Sequence, residues 1–182
     1  MAITRLNTNS VGTSVNLTSN VTGTLPVANG GTNLSSGFVN GEKNTPYFAR
    51  YSNTQAVPTA TETLLQFAGA IVDSDSAWDS TNYRFTPQTA GKYFVYAYGV
   101  IMTDADFDIA QIRIRKNGST RIAEDQSSNR FYDTHYISAV VTLNGSTDYV
   151  DCTAYHEKGS QLDFGNAQIY VSNFGGYLLS AT

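Results

Sequence analysis

Gly91-Lys92-Tyr93-Phe94-Val95-Tyr96-Ala97-Tyr98-Gly99-Val100-Ile101 is the stretch that decides the fold of this chain. Side chains alternate between the two faces of a strand, so Tyr93, Val95 and Ala97 line one face and Phe94, Tyr96 and Tyr98 line the other. A strand with one wet face would show polar residues on alternate positions. Here both faces are apolar or aromatic, and both must be covered. From Pro46 onward, short runs rich in Tyr, Phe, Val, Ile and Thr alternate with turn residues, without helical periodicity longer than a turn. That pattern predicts an all-β domain.

The neighbouring runs supply the rest of a sandwich. Ala110, Ile112 and Ile114 alternate with Gln111, Arg113 and Arg115, which predicts an inward face and a wet one. Ile137, Ala139, Val141 and Leu143 share one face of a later run, as do Val150, Cys152 and Ala154. Asn117-Gly118 and Asn144-Gly145 each carry the signal of a tight hairpin. The last run, Phe174-Gly175-Gly176-Tyr177-Leu178-Leu179, is apolar on both sides, again more than a two-layer monomer needs. The surplus face is expected to be an interface.

Composition divides the chain in two. Residues 1 to 37 contain no aromatic and one charge, Arg5, while 23 of the 37 are Thr, Ser, Asn or Gly. All 22 aromatics follow, beginning at Phe38. Alone, the leader cannot bury enough apolar surface to offset an ordering cost of roughly 1–2 kcal/mol per residue. The expected organisation is an extended low-complexity stem over residues 1–40 and a globular head over 41–182. Val11, Val15 and Leu17 are followed ten residues later by Val21, Leu25 and Val27, sparse apolar knobs that three parallel chains could bury around a common axis.

The formal charge of −4, with 11 Lys and Arg residues scattered along the chain, argues against a nucleic-acid partner. No apolar run approaches the roughly 20 residues that span a bilayer, so no membrane insertion is expected. The start Met-Ala-Ile-Thr-Arg lacks the apolar core of a signal peptide, which predicts synthesis in a cytoplasm. Cys152 is the single cysteine and is expected to be packing.

Two resemblances sharpen these expectations. The run Thr22-Gly23-Thr24-Leu25-Pro26-Val27-Ala28-Asn29-Gly30-Gly31-Thr32 resembles a repeat common in bacteriophage tail-fibre proteins, with Asn33 in place of that repeat's last glycine. It implies a virion protein made in a host bacterium, attached to other virion structural proteins through a stem that includes Leu25, Pro26 and Val27. Trp78-Asp79, Phe85-Thr86-Pro87, Ala90 to Tyr96, Lys116-Asn117-Gly118 and the terminal Gly176-Tyr177-Leu178-Leu179 together resemble the C1q/TNF jelly-roll family, over about residues 46–180. That resemblance implies a ten-stranded jelly roll assembled as a homotrimer. Carried over residue by residue, it implies axis-facing positions at Phe94, Tyr96, Tyr98, Tyr136, Phe174 and Leu178.

The chain offers little chemistry. Asp104, Asp106 and Asp108 place three carboxylates at alternate positions, a pattern that would offer oxygen ligands to Ca²⁺. A full calcium loop would want glycine at the sixth place, where Ile109 stands, and a bidentate Glu at the twelfth, where Arg115 stands. A solvated acidic loop therefore competes with the calcium reading, as it does for Asp73-Ser74-Asp75. His135 and His156 are the only histidines, and Asp133 precedes His135 by two residues, yet no Gly-x-Ser-x-Gly elbow marks a nucleophile. Neither an enzyme nor a bound cofactor is expected. The loops Asp73–Thr81, Thr103–Asp108 and Gln126–Asp133 suit glycans or cell-surface polymers, with Trp78 either stacking on a sugar or, as part of the C1q/TNF-like segment, simply packing. The function these signals imply is host-surface adhesion or capsid decoration. A cellular C1q-like recognition module is the other class.

Overall fold

The computed structural model describes residues 46–104, 109–128, 131–165 and 172–182. The stem residues Leu25, Pro26 and Val27, and the acidic residues Asp106 and Asp108, lie outside them. The described residues form a jelly-roll sandwich with no helix. Its strands are β1 (Tyr47–Tyr51), β2 (Gln55–Val57), β3 (Thr63–Leu64), β4 (Gly69–Asp73), β5 (Trp78–Asp79), β6 (Arg84–Phe85), β7 (Ala90–Asp104), β8 (Ala110–Lys116), β9 (Thr120–Ser127), β10 (Phe131–Asn144), β11 (Val150–His156), β12 (Leu162–Phe164) and β13 (Asn173–Ala181). Three of these, β3, β5 and β6, are two-residue pieces, which leaves ten strands of three residues or more.

One sheet runs β2-β12-β7-β13-β1-β4, with β10 on the other edge of β7. The second runs β5-β6-β11-β8-β9, with β3 beside β11. All the strand pairs are antiparallel. The core between the sheets takes Tyr93, Val95, Ala97 and Ile101 from β7, Ile112 and Ile114 from β8, Ile137, Val141 and Leu143 from β10, and Val150, Cys152 and Ala154 from β11. The inward faces read from alternation are therefore the inward faces found.

The two Asn-Gly signals part company. Asn117 and Gly118 both take left-handed φ, 54° and 71°, and close the β8–β9 hairpin. Asn144-Gly145 also turns the chain left-handed at Gly145, φ 70°, but β10 belongs to the first sheet and β11 to the second. The expected hairpin there is an arch between sheets. Glycine is required at its apex, because a Cβ on Gly145 would lie 2.3 Å from the backbone nitrogen of Ala90.

The predicted wet face of β8 is covered more than its alternation suggests. Gln111 is buried, and Arg113 and Arg115 are held in an ion network beneath the segment that carries Glu62. That segment passes from β2 to β3 and then drives Leu65 and Phe67 fully into the core.

Candidate interaction surface

Among the described residues, the outward face of the first sheet gathers seven aromatic rings: Phe94, Tyr96, Tyr98, Tyr136, Tyr177, Tyr47 and Tyr51. Register fixes which they are, since directly opposed residues on paired strands point to the same side. Tyr98 opposes Tyr136 on β10, Phe94 opposes Tyr177 on β13, and Tyr177 opposes Tyr47 on β1. The rings pair accordingly: Tyr98 and Tyr136 stack at 5.5 Å and 21°, and Phe94 lies 5.5 Å from Tyr177 and 6.4 Å from Tyr96. Tyr136 is 69 % exposed, Tyr47 41 % and Tyr177 38 %, with Val140 beside them at 59 %. The outward positions of β7 from Phe94 to Met102 carry no charge. Burial, with a contribution from Tyr98, pushes the Tyr96 phenol above its ordinary pKa. At roughly 150–250 Å² per ring, even a half-covered set of seven leaves several hundred Å² of apolar surface, the size at which a patch marks an interaction site.

Of the six expected axis-facing residues, Phe94, Tyr96, Tyr98 and Tyr136 point outward, and Phe174 and Leu178 do not. Phe174 opposes Ala97 and Leu178 opposes Tyr93, both inward residues, and the two are 0 % and 2 % exposed. Phe174 packs against Phe48 at 5.1 Å and Phe67 at 5.6 Å. A one-residue change of parity exchanges faces, so the outward residue of this strand is Tyr177. Tyr47, Val140 and Tyr177 were missed in the sequence. Alternation with Ile137, Val141 and Leu143 was signal enough for Val140.

Trp78 is likewise unavailable to a sugar. It is 8 % exposed, stacks on Phe48 at 5.7 Å, and receives the Arg50 guanidinium over its ring at 5.3 Å. Arg50 is itself buried and donates to the carbonyls of Phe67 and Ala68. Burial lowers its pKa against the opposing pull of Asp73. Asp73 serves the backbone, accepting from the amides of Ala77 at 2.9 Å and Trp78 at 3.1 Å. Of the proposed calcium ligands only Asp104 falls within the description, at the end of β7. Among the described residues no group of three His, Cys, Asp or Glu side chains is placed to hold a metal.

Both histidines are buried inside the fold. Nδ1 of His135 lies 3.1 Å from Asp125 Oδ2, so β9 supplies it with a carboxylate partner. Nε2 of His156 donates to the Val57 carbonyl at 2.8 Å, and its Nδ1 accepts from the Lys158 amide. The Cys152 thiol is fully buried, and burial drives its pKa well up.

The outer side of the second sheet is ionic instead of aromatic. Arg115 grips Asp151 through Nε at 2.9 Å and Nη2 at 3.0 Å, Arg113 bonds Glu124 and Glu62, and Thr153 donates to Glu62 at 2.9 Å. Burial opposes ionisation of Glu62, but the bonds from Thr153 and Arg113 and the charges of Arg115 and Arg113 outweigh it, so its pKa lies below the ordinary value. The two outer faces are thus chemically opposite.

The candidate loops do not lie together. The strand ends at Asp104, Ala110, Ser127, Phe131, Phe164 and Asn173 gather at the end remote from Tyr47 and Ala181. The Asp73–Thr81 loop sits at the near end, where Ser74 Oγ accepts from the Tyr47 amide.

With this geometry, the chain is similar to the globular domain of zebrafish complement 1qA, at 12 % identity and a TM-score of 0.53, covering 76 % of this chain and 100 % of that one. It is also similar to the Eiger TNF of S. frugiperda, at 11 % identity and a TM-score of 0.55, covering 75 % and 93 %. The fold is the C1q/TNF jelly roll. No family model matches the sequence, and no curated protein does.

Proposed function

We propose that this chain is a structural, non-enzymatic bacteriophage virion protein, a homotrimeric fibre or decoration protein. The observation that carries the assembly is the uncharged outward face of Phe94, Tyr96, Tyr98, Tyr136, Tyr177 and Tyr47, occupied by second and third copies of the chain. The phage-fibre-like run around Leu25, Pro26 and Val27 supports attachment of the leader to the particle. The head then presents its remote end, marked by the strand ends at Asp104, Ala110, Ser127, Phe131, Phe164 and Asn173, to a host-surface polymer or glycan. In solution the chain of 19.7 kDa should behave as a particle of about 59 kDa, and a 20 kDa particle would overturn the trimer.

The animal complement and TNF-type neighbours favour a second reading, a cellular C1q-like recognition module on the same trimer. Immunogold labelling of intact particles separates the two. Label on the virion, together with binding of the purified chain to susceptible bacteria, supports the adhesion role. Label on the capsid without cell binding supports decoration alone, and no label on particles leaves the cellular module.

A further inference from the structure

Asn-Gly is the dipeptide most prone to spontaneous deamidation, because glycine has no Cβ to hinder its amide nitrogen. That nitrogen attacks the asparagine Cγ and loses its proton, the N–Cγ bond forms, and Nδ2 leaves as ammonia. Water then opens the succinimide to aspartate or isoaspartate. The reaction needs a side chain free to swing its Cγ onto the next nitrogen. Both turns of the head deny it that freedom.

At the β8–β9 hairpin, Asn117 Nδ2 donates to Asp148 Oδ1 at 2.9 Å, and Asn117 Oδ1 accepts from the Tyr149 amide at 3.0 Å. Its backbone amide donates to the Tyr149 carbonyl at 3.0 Å, so main chain and side chain are fastened to one residue. The Tyr149 hydroxyl lies over Gly118, 2.8 Å from where a Cβ would stand. At the inter-sheet arch, Asn144 Oδ1 accepts from the amides of Ser146 at 3.0 Å, Thr147 at 2.9 Å and Asp148 at 2.9 Å, while Nδ2 donates to Thr147 Oγ1 at 2.8 Å. We infer that these hydrogen bonds make the two Asn-Gly turns resistant to the cyclisation their sequence invites, with the Asp148 carboxylate as guard of Asn117. The same carboxylate accepts from the Asn144 amide at 3.1 Å and pairs with Lys116 at 2.8 Å, so one residue ties hairpin and arch together.

The test is peptide mapping of the full chain after incubation at mildly alkaline pH, folded and in urea. Each hydrogen bond that must open lowers the reactive population by about two- to tenfold, and at least two hold each side chain, so Asn117 and Asn144 should convert on the order of tenfold more slowly in the folded protein. Asp148→Ala, confirmed as folded by circular dichroism, should raise conversion at Asn117 severalfold, whereas Asp148→Asn, which keeps an acceptor oxygen, should leave it slow. Folded-state conversion at the rate of the unfolded chain would overturn the inference. So would a folded Asp148→Ala protein whose Asn117 is as slow as in the parent, which would remove Asp148 from the role.

Discussion

Phe174→Ala distinguishes a core residue from an interface residue at the position where the sequence and the structure disagree. Phe174 is fully buried and packed by Phe48, Phe67 and Trp78, with ring centroids at 5.1, 5.6 and 6.0 Å. Losing its transfer free energy costs about 2.5 kcal/mol. A rigid cavity on the order of 100 Å³, at about 24 cal/mol per Å³, adds about 2.4 kcal/mol, and partial collapse brings the total to about 3–5 kcal/mol. At about 3 °C per kcal/mol for a domain of this size, the melting temperature should fall by about 9–15 °C. Because assembly adds a concentration-dependent term, calorimetry should be run at two protein concentrations, with sedimentation at each. The core placement requires a similar fall at both and an unchanged particle mass before melting. A fall below about 1 kcal/mol together with dissociation to single chains would put Phe174 on the interface and refute the register argument.

The outward face makes the opposite prediction: Tyr136→Asp or Tyr177→Asp should convert the particle of about 59 kDa to one of about 20 kDa with unchanged circular dichroism, while Tyr155→Asp on the other sheet should leave the mass alone. The Glu62 pKa lies below its unfolded 4.5, so its stabilisation is fully present above that value and lost as pH falls through the lower, folded one. Urea midpoints followed from about pH 6 to pH 3 should therefore drop less steeply in Glu62→Gln, and identical slopes would remove Glu62 from the acid response. Gly145→Ala meets both a left-handed φ of 70° and a contact of 2.3 Å with the Ala90 nitrogen. The expected cost is about 2–5 kcal/mol by denaturant titration, and a loss under about 1 kcal/mol would mean that the arch can shift.

The core was legible because alternation is local. Ile137, Val141 and Leu143, or Val150, Cys152 and Ala154, declare their face within one strand, and all are buried. Partnership between strands is not local, and the errors fall there. Asn144-Gly145 announces a left-handed turn but not which sheet receives the next strand. In Phe174-Gly175-Gly176-Tyr177-Leu178 both faces read as apolar, because the glycines supply no side chain to mark either one. Only pairing with Ala97 and Tyr93 assigns Phe174 and Leu178 inward. Trp78 is ambiguous by residue type, since a tryptophan in a turn-rich stretch suits a ligand as readily as a core, and nothing in the sequence marks Arg50 as buried. Together they form a stacked pair whose cation is further satisfied by the Phe67 and Ala68 carbonyls. The ion network escaped for a related reason. Glu62 lies 51 residues from Arg113 in sequence, and nothing in either segment points to the other.

Gly175 links this reading of the last strand to the surface it helps build. It stands on the outward side of β13 opposite Tyr96, and the Tyr96 hydroxyl occupies a point 2.5 Å from where its Cβ would be. Without a side chain at 175, Tyr96 leans across the neighbouring strand instead of projecting from the sheet. Phe94 against Tyr177 and Tyr98 against Tyr136 are similarly held by one another at 5.5 Å. Rings already fixed by their neighbours have little rotamer freedom left to lose, and immobilising such side chains otherwise costs about 0.5–1.5 kcal/mol each on association. A loosely ordered aromatic face would be an aggregation hazard, whereas a set of rings held in one arrangement offers another copy a surface of definite shape. The glycine that obscured the parity of the strand in the sequence is therefore part of what makes its outward face suited to specific assembly.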